Sequence, residues 1–280
     1  SKPGDEFEKY NGTLERFSAG LSDVAKKWDG LFIDQFHPYW AVVEKARKGG
    51  EKGRITGGDA VHPGPPGQAV MAAAILKGMN FPQLVSRVEV VAADKGAPGG
   101  GAAQNCKLSD IVTTETSVSF KRTDLALPFF PEQAKSILKW APLLEEMNHY
   151  GLKVTQLKPG KYDVKLNGKT VATHTDAELA KGVNLAAAVL ASGPVADQVN
   201  EVAKAVNDKT NYYHGQIYSP LVLGRNLPKN PDFKDVAKED VQKRRDALIA
   251  ERMKKMPELD AAIRKALMPR EHRVEVVPAK

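Results

Sequence analysis

The chain has 280 residues, 42% of them apolar, with 41 Lys/Arg against 34 Asp/Glu and a net charge of +7. That length holds one large or two ordinary domains, and no apolar run approaches membrane-spanning length. The one cysteine, Cys106, excludes an internal disulfide and a cysteine-rich metal site. It is compatible with either redox compartment.

Leu14, Phe17, Leu21, Val24 and Trp28 recur at helical spacing and predict an amphipathic helix over 6–29, stopped by Gly30. Leu31-Phe32-Ile33-Asp34 is a short apolar burst expected to be a buried parallel strand. Pro38 opens a second helix to about Lys48. A Gly/Lys-rich loop over 49–58 leads to Asp59-Ala60-Val61-His62-Pro63, and Gln68–Met79 reads as a small-residue helix able to pack closely on a sheet. This order has the rhythm of a layered α/β domain, yet one strand is too few for a sheet with helices on both faces.

From Val85 the pattern alternates. Strands are expected over Val85–Val91, Ser117–Phe120, Lys153–Leu157, Lys161–Leu166 and Lys169–His174, the last two joined by an Asn167-Gly168 hairpin turn. A Gly/Ala/Pro run at 96–103 reads as a flexible loop, and Glu132–His149 as a helix inserted into a small antiparallel β module. Residues 194–213 form a helix with a valine stripe, and Tyr212–Pro231 a loop. Asp235–Leu267 is one long charged helix or two, with Pro257 as the break. Val274–Val277 is expected to be a late edge strand. The expected division is therefore 1–84, 85–192 and 193–280. Arg225–Lys280 holds 15 Lys/Arg against 10 Asp/Glu. Mixed signs and scarce aromatics make that segment a solvated face in preference to a nucleic-acid or polyanion site.

The six histidines are scattered without metal-ligand spacing, and Gly99-Gly100-Gly101 lacks the context of a phosphate loop. Neither a metal nor a cofactor is expected. Asp59 and His62 are the candidate catalytic residues. A carboxylate three residues before a histidine can hold one ring nitrogen and leave the other as a general base. His37, His149, His174 and His214 read as turn or surface residues, and Asp34 as a cap of the second helix or a cleft residue.

Phe32-Ile33-Asp34, Gly58-Asp59-Ala60-Val61-His62-Pro63 and Gly67-Gln68-Ala69-Val70-Met71-Ala72 together resemble the last block of the GDSL/SGNH hydrolases. Ala141–Leu144, Leu152–Thr155 and Gly182–Leu185 are similar to the extension of large bacterial SGNH esterases, so the resemblance spans roughly 1–215. It implies the C-terminal part of a flavodoxin-like α/β/α domain, followed by the β module and a helical, basic arm. It also implies a Ser-His-Asp triad with His62 as base and Asp59 as its orienting carboxylate, acting on a small ester or an acylated carbohydrate. A periplasmic or secreted location follows by the same analogy, although no signal peptide is visible. No membrane partner is expected.

The family's Gly-Asp-Ser and Gly-x-Asn-Asp blocks are absent. Leu21-Ser22-Asp23 and Leu108-Ser109-Asp110 come nearest and have no such context. Three arrangements remain open: the nucleophile lies upstream or on an N-terminal companion chain, it has been lost, or another serine, such as Ser1, replaces it. The opening Ser1-Lys2-Pro3-Gly4-Asp5 does not read as a natural start. The alternative to an enzyme is a non-catalytic binding or structural protein built on an SGNH remnant.

Overall fold

The computed structural model describes residues 5–59, 61–93, 100–225 and 227–279; Ser1, Ala60 and the first half of the Gly/Ala/Pro run lie outside them. The fold is mixed α/β. It begins with three helices, α1 (Asp5–Lys27), α2 (Phe36–Lys48) and α3 (Pro65–Gly78). The expected strand at 31–34 is not formed. That segment is irregular, and Leu31 is 73% exposed, because no sheet among the described residues lies beside it.

Helix α3 starts with two prolines at its first turn, where missing N–H groups cost nothing. Its Val70 and Ala73 do not meet a sheet, as expected, but pack on Ile137, Ala141 and Leu143. Those residues belong to the segment read as one helix over 132–149. Pro142 divides it, leaving a 3₁₀ turn (Glu132–Lys139) and the short α4 (Leu143–Met147).

The strands build two sheets. The first contains β1 (Leu84–Val91), β2 (Gly101–Gln104), β5 (His149–Thr155) and β8 (Val183–Asn184), in the order β2-β1-β5-β8. Here β1 and β5 run parallel, so the module is not wholly antiparallel as expected. Part of the supposed flexible loop is β2, hydrogen-bonded to β1.

The second sheet is antiparallel: β3 (Cys106–Thr114), β4 (Ser117–Asp124), β9 (Glu271–Pro278), β6 (Lys161–Leu166), β7 (Lys169–Thr175), in that order. The β6–β7 turn is the expected one, with Asn167 and Gly168 both at positive φ (48° and 81°). The C-terminal strand is central, not an edge. Val274 faces Phe120 and Leu166 on either side, and Val276 faces Val118 and Val164. A four-residue run cannot reveal whether one or both of its edges are paired.

Both sheets feed one apolar cluster, which also takes Leu179 from α5 (Asp176–Lys181), Ala186 and Val189 from α6 (Ala186–Ala191), and Val195 and Val199 from α7 (Pro194–Tyr212). The expected loop after α7 is instead a π-helical stretch, Tyr213–Val222, held by buried Ile217 and Leu221 four residues apart. Leu221 packs with Phe233 and Leu248. The charged segment breaks as expected near Pro257, into α8 (Val241–Met253) and α9 (Met256–Ala266). No helix among the described residues is long and apolar enough to cross a membrane.

Candidate functional site

The Asp59–His62 loop is closed by its own hydrogen bonds. Asp59 Oδ1 accepts the backbone N–H groups of Val61 (2.7 Å) and His62 (2.6 Å), and Oδ2 accepts from His62 Nδ1 at 2.9 Å. The Asp59 N–H donates to the His62 carbonyl at 3.0 Å. The backbone bond from His62, then the imidazole and Val61 bonds, hold the Asp59 carboxyl well below its usual pKa. An ionised Asp59 fixes the His62 tautomer with its proton on Nδ1 and its lone pair on Nε2.

Glycines make this closure possible. Gly57 and Gly58 sit at φ +63° and +69°, and a Cβ on Gly58 would stand 2.0 Å from the His62 carbonyl oxygen. Arg54 pins the turn by donating to the Gly58 carbonyl at 2.9 Å. Gly67 comes close against Tyr39, Thr56 and Pro63, which seats α3 directly behind the loop. Gly58→Ala is expected to destabilise the fold by about 1–3 kcal/mol through strain at this one position and to pull His62 off Asp59. Chemical denaturation checks it; an unchanged midpoint would contradict the closure described.

The structure contains a second loop of the same design. Asp34-Gln35-Phe36-His37-Pro38 repeats the D-x-x-H-P spacing, a signal visible in the sequence and passed over. Asp34 Oδ1 accepts from Phe36 and His37 N–H (2.9 and 3.1 Å), which caps the start of α2, and Oδ2 accepts from His37 Nδ1 at 2.6 Å. The two loops differ at the outer nitrogen. His37 Nε2 is taken by Glu15 of α1 at 3.3 Å, and the two carboxylates together raise the His37 pKa. Asp34 therefore fills its capping role, and His37 is a clasp between helices, not a free base. His62 Nε2 has no hydrogen-bond partner among the described residues, and the His62 side chain is 82% exposed.

The clasp carries a sign. A raised folded pKa adds stability fully present below the unfolded value, about 6.5, and lost as pH rises through the folded value. Hydrogen exchange in α1, corrected for intrinsic rates, is expected to be slower at pH 6 than at pH 8. Glu15→Gln is expected to lower the His37 pKa in an NMR titration and to remove that difference.

No serine, threonine or tyrosine hydroxyl among the described residues bonds to His62 Nε2. Ser22 lies in α1 and Ser109 in β3. His149 and His214 are exposed, and His174 sits 3.8 Å from Glu178. Among the described residues no cluster of three His, Cys, Asp or Glu is placed to hold a metal ion.

Several large apolar side chains of the N-terminal helices and their loops are exposed. Phe17, Leu21, Val24 and Trp28 of the predicted stripe are all exposed, Trp28 at 74%, and so are Val61, Met79 and Phe81. A helical stripe of this kind is ordinarily buried against a neighbouring element.

Sequence reasoning missed a buried polar network on the β module. Arg122 Nε donates to Asp124 Oδ1 at 2.8 Å, and Arg122 Nη2 donates to Ser86 Oγ at 2.6 Å. Ser86 donates to Asp124 Oδ1 and Tyr150 to Asp124 Oδ2, at 2.7 and 2.6 Å. The Arg122 guanidinium lies 3.7 Å from the Tyr150 ring centre. The inward phase of β4 was readable, but a charged residue on that face gives no sign of its partners on β1 and β5.

No protein-family model matches the chain, and no curated protein matches it. Among solved structures, a gut microbial diltiazem-metabolizing enzyme superposes over 98% of this chain and 68% of its own, with a TM-score of 0.71 at 22% identity. That likeness establishes a shared α/β fold across nearly all of the chain described here.

Proposed function

We propose that this chain supplies the acid/base half of a serine-type ester hydrolase of the GDSL/SGNH kind. The observation that carries the reading is the Asp59-locked imidazole with its Nε2 lone pair open. The neighbouring fold belonging to a drug-metabolizing enzyme supports it at the level of architecture.

In this reading His62 takes the proton of a serine hydroxyl as that oxygen attacks the ester carbonyl. It then returns the proton to the departing alcohol, leaving an acyl-enzyme. A water loses a proton to the same nitrogen and releases the acid. Asp59 stabilises the imidazolium formed in each half-reaction. The hydroxyl and the oxyanion donors come from a further segment or a companion chain that covers the exposed stripe of α1 and the loops at Leu31 and Val61. Cover is required on physical grounds as well, since an acid/base pair open to water loses the low-dielectric advantage of a closed site. A small ester or an acylated carbohydrate is the substrate class, the latter by analogy of family.

The test is p-nitrophenyl acetate turnover. Residues 1–280 alone are expected to run near the buffer rate, and the assembly with the hydroxyl-bearing segment far above it. Turnover by the assembly that is indifferent to His62→Ala, or turnover by residues 1–280 alone well above the buffer rate, would sink the proposal.

A further inference from the structure

The small apolar cluster of Leu221, Phe233 and Leu248 holds α8 against the end of the π-helical stretch. Beside it lies a pocket of about 290 Å³ that shares no residue with the Asp59–His62 loop. Its walls are the π-helical turn around Gln216 and Pro220, the turns that carry Arg225, Lys229 and Asp232, and Arg252 of α8. Asn230 fixes the last of these turns by accepting the Asp232 N–H at 3.0 Å.

The charges of this pocket do not balance. Arg252 Nη2 donates to Asp232 Oδ2 at 2.5 Å and Nη1 to the Gln216 carbonyl at 2.6 Å, so the lining carboxylate is already neutralised. Arg225 and Lys229 are exposed, and their side chains make no hydrogen bond or ion pair among the described residues. Two cations are left over, and fixed positive charge around a concave surface concentrates anions.

A third unpaired cation stands behind them. Arg245 lies seven residues before Arg252, with Leu248 between, and so on the same face of α8. Its Nε–H is buried without a hydrogen-bond partner, and the guanidinium forms no ion pair among the described residues. Such a group is always charged, and a buried donor left without an acceptor keeps its full desolvation cost. Gly224, at φ +62°, lets the chain turn over it: a Cβ there would stand 3.4 Å from Arg245 Nη2. Arg225 follows directly, so the orphaned guanidinium sits against the turn that carries a free one.

We infer that this pocket binds a phosphate-type dianion, as free phosphate or as the head of a phosphate monoester. Arg225 and Lys229 meet its oxygens, and Arg245 closes the cage from the Gly224 side. A guanidinium fork matches two oxygens of such a group at once. Three uncompensated cations exceed what a single carboxylate would neutralise, and the volume suits a head group in preference to a large apolar ligand.

The experiment is calorimetric titration of the full chain at low salt and pH 8 with inorganic phosphate, glycerol 3-phosphate and acetate. Both phosphates are expected to bind, and acetate at least about tenfold more weakly, as loss of a charge-assisted contact requires. Glycerol 3-phosphate at least as tight as phosphate marks a monoester site; a weaker one marks a site for the free ion. Arg225→Gln with Lys229→Gln, at exposed positions, is expected to weaken phosphate at least about tenfold with the fold intact. Arg245→Met is expected to do the same without lowering the urea midpoint of the anion-free chain, since it removes an unpaired donor and breaks no bond. Acetate equal to phosphate, indifference to either variant, a lowered midpoint in Arg245→Met, or no binding of either phosphate at millimolar concentration would each overturn the assignment.

Discussion

His62→Ala is expected to lower ester turnover by the assembled hydrolase on the order of 10⁴-fold or more, because a serine hydroxyl without its base is a weak nucleophile at neutral pH. Asp59→Asn is expected to cost on the order of 10⁴-fold by a different route. An amide in place of the carboxylate no longer selects the tautomer with the proton on Nδ1, so the ring presents N–H rather than a lone pair to the hydroxyl. Both losses should fall in kcat, with little change in KM, since neither group is placed to hold the ground-state substrate. His37→Ala is the informative control. It removes the twin histidine, whose outer nitrogen is occupied by Glu15, and should leave turnover near that of the parent. Steady-state kinetics on p-nitrophenyl acetate checks all three. A large loss in His37→Ala with a small one in His62→Ala would exchange the roles of the two loops.

The largest stability effect is expected at the buried pair of the β module. Asp124→Ala leaves the Arg122 guanidinium, 1% exposed, without its counter-ion and leaves Tyr150 and Ser86 without their acceptor. Removing one member of such a pair costs about 3–5 kcal/mol. In a chain of this length that lowers Tm by roughly 10 °C. Replacing both members, as in Arg122→Met with Asp124→Leu, should cost less than the single change, because no unpaired charge stays behind. Urea denaturation of the three variants measures the difference. A loss below about 1 kcal/mol for Asp124→Ala would mean that water reaches the pair.

The elements that could be read from the sequence were those whose signals are local. The stripe on α1, the Asn167-Gly168 turn and the break at Pro257 each depend on neighbours a few residues away, and each stands where expected. The failures share a cause of the opposite kind. Leu31–Asp34 has the composition of a buried strand, but a strand exists only where another chain segment pairs with it. Val274–Val276 alternates as an edge strand does, and only its partners β4 and β6, more than a hundred residues earlier, make it central. The Asp59–His62 contact was legible because an Asx-type turn is sealed within four residues. Its near copy at Asp34–His37 shows the limit of that reading. The same spacing gives a clasp or a free base according to whether Glu15, on another helix, reaches the second nitrogen.

The central claim is that His62 activates a hydroxyl brought to it from beyond the described residues. Fluorophosphonate labelling of the assembled hydrolase, with the modified residue located by mass spectrometry, tests this most directly. One serine outside residues 5–279 is expected to carry the label, and His62→Ala is expected to abolish the labelling while His37→Ala spares it. A label on a serine within residues 5–279, or labelling that persists unchanged in His62→Ala, would contradict the account.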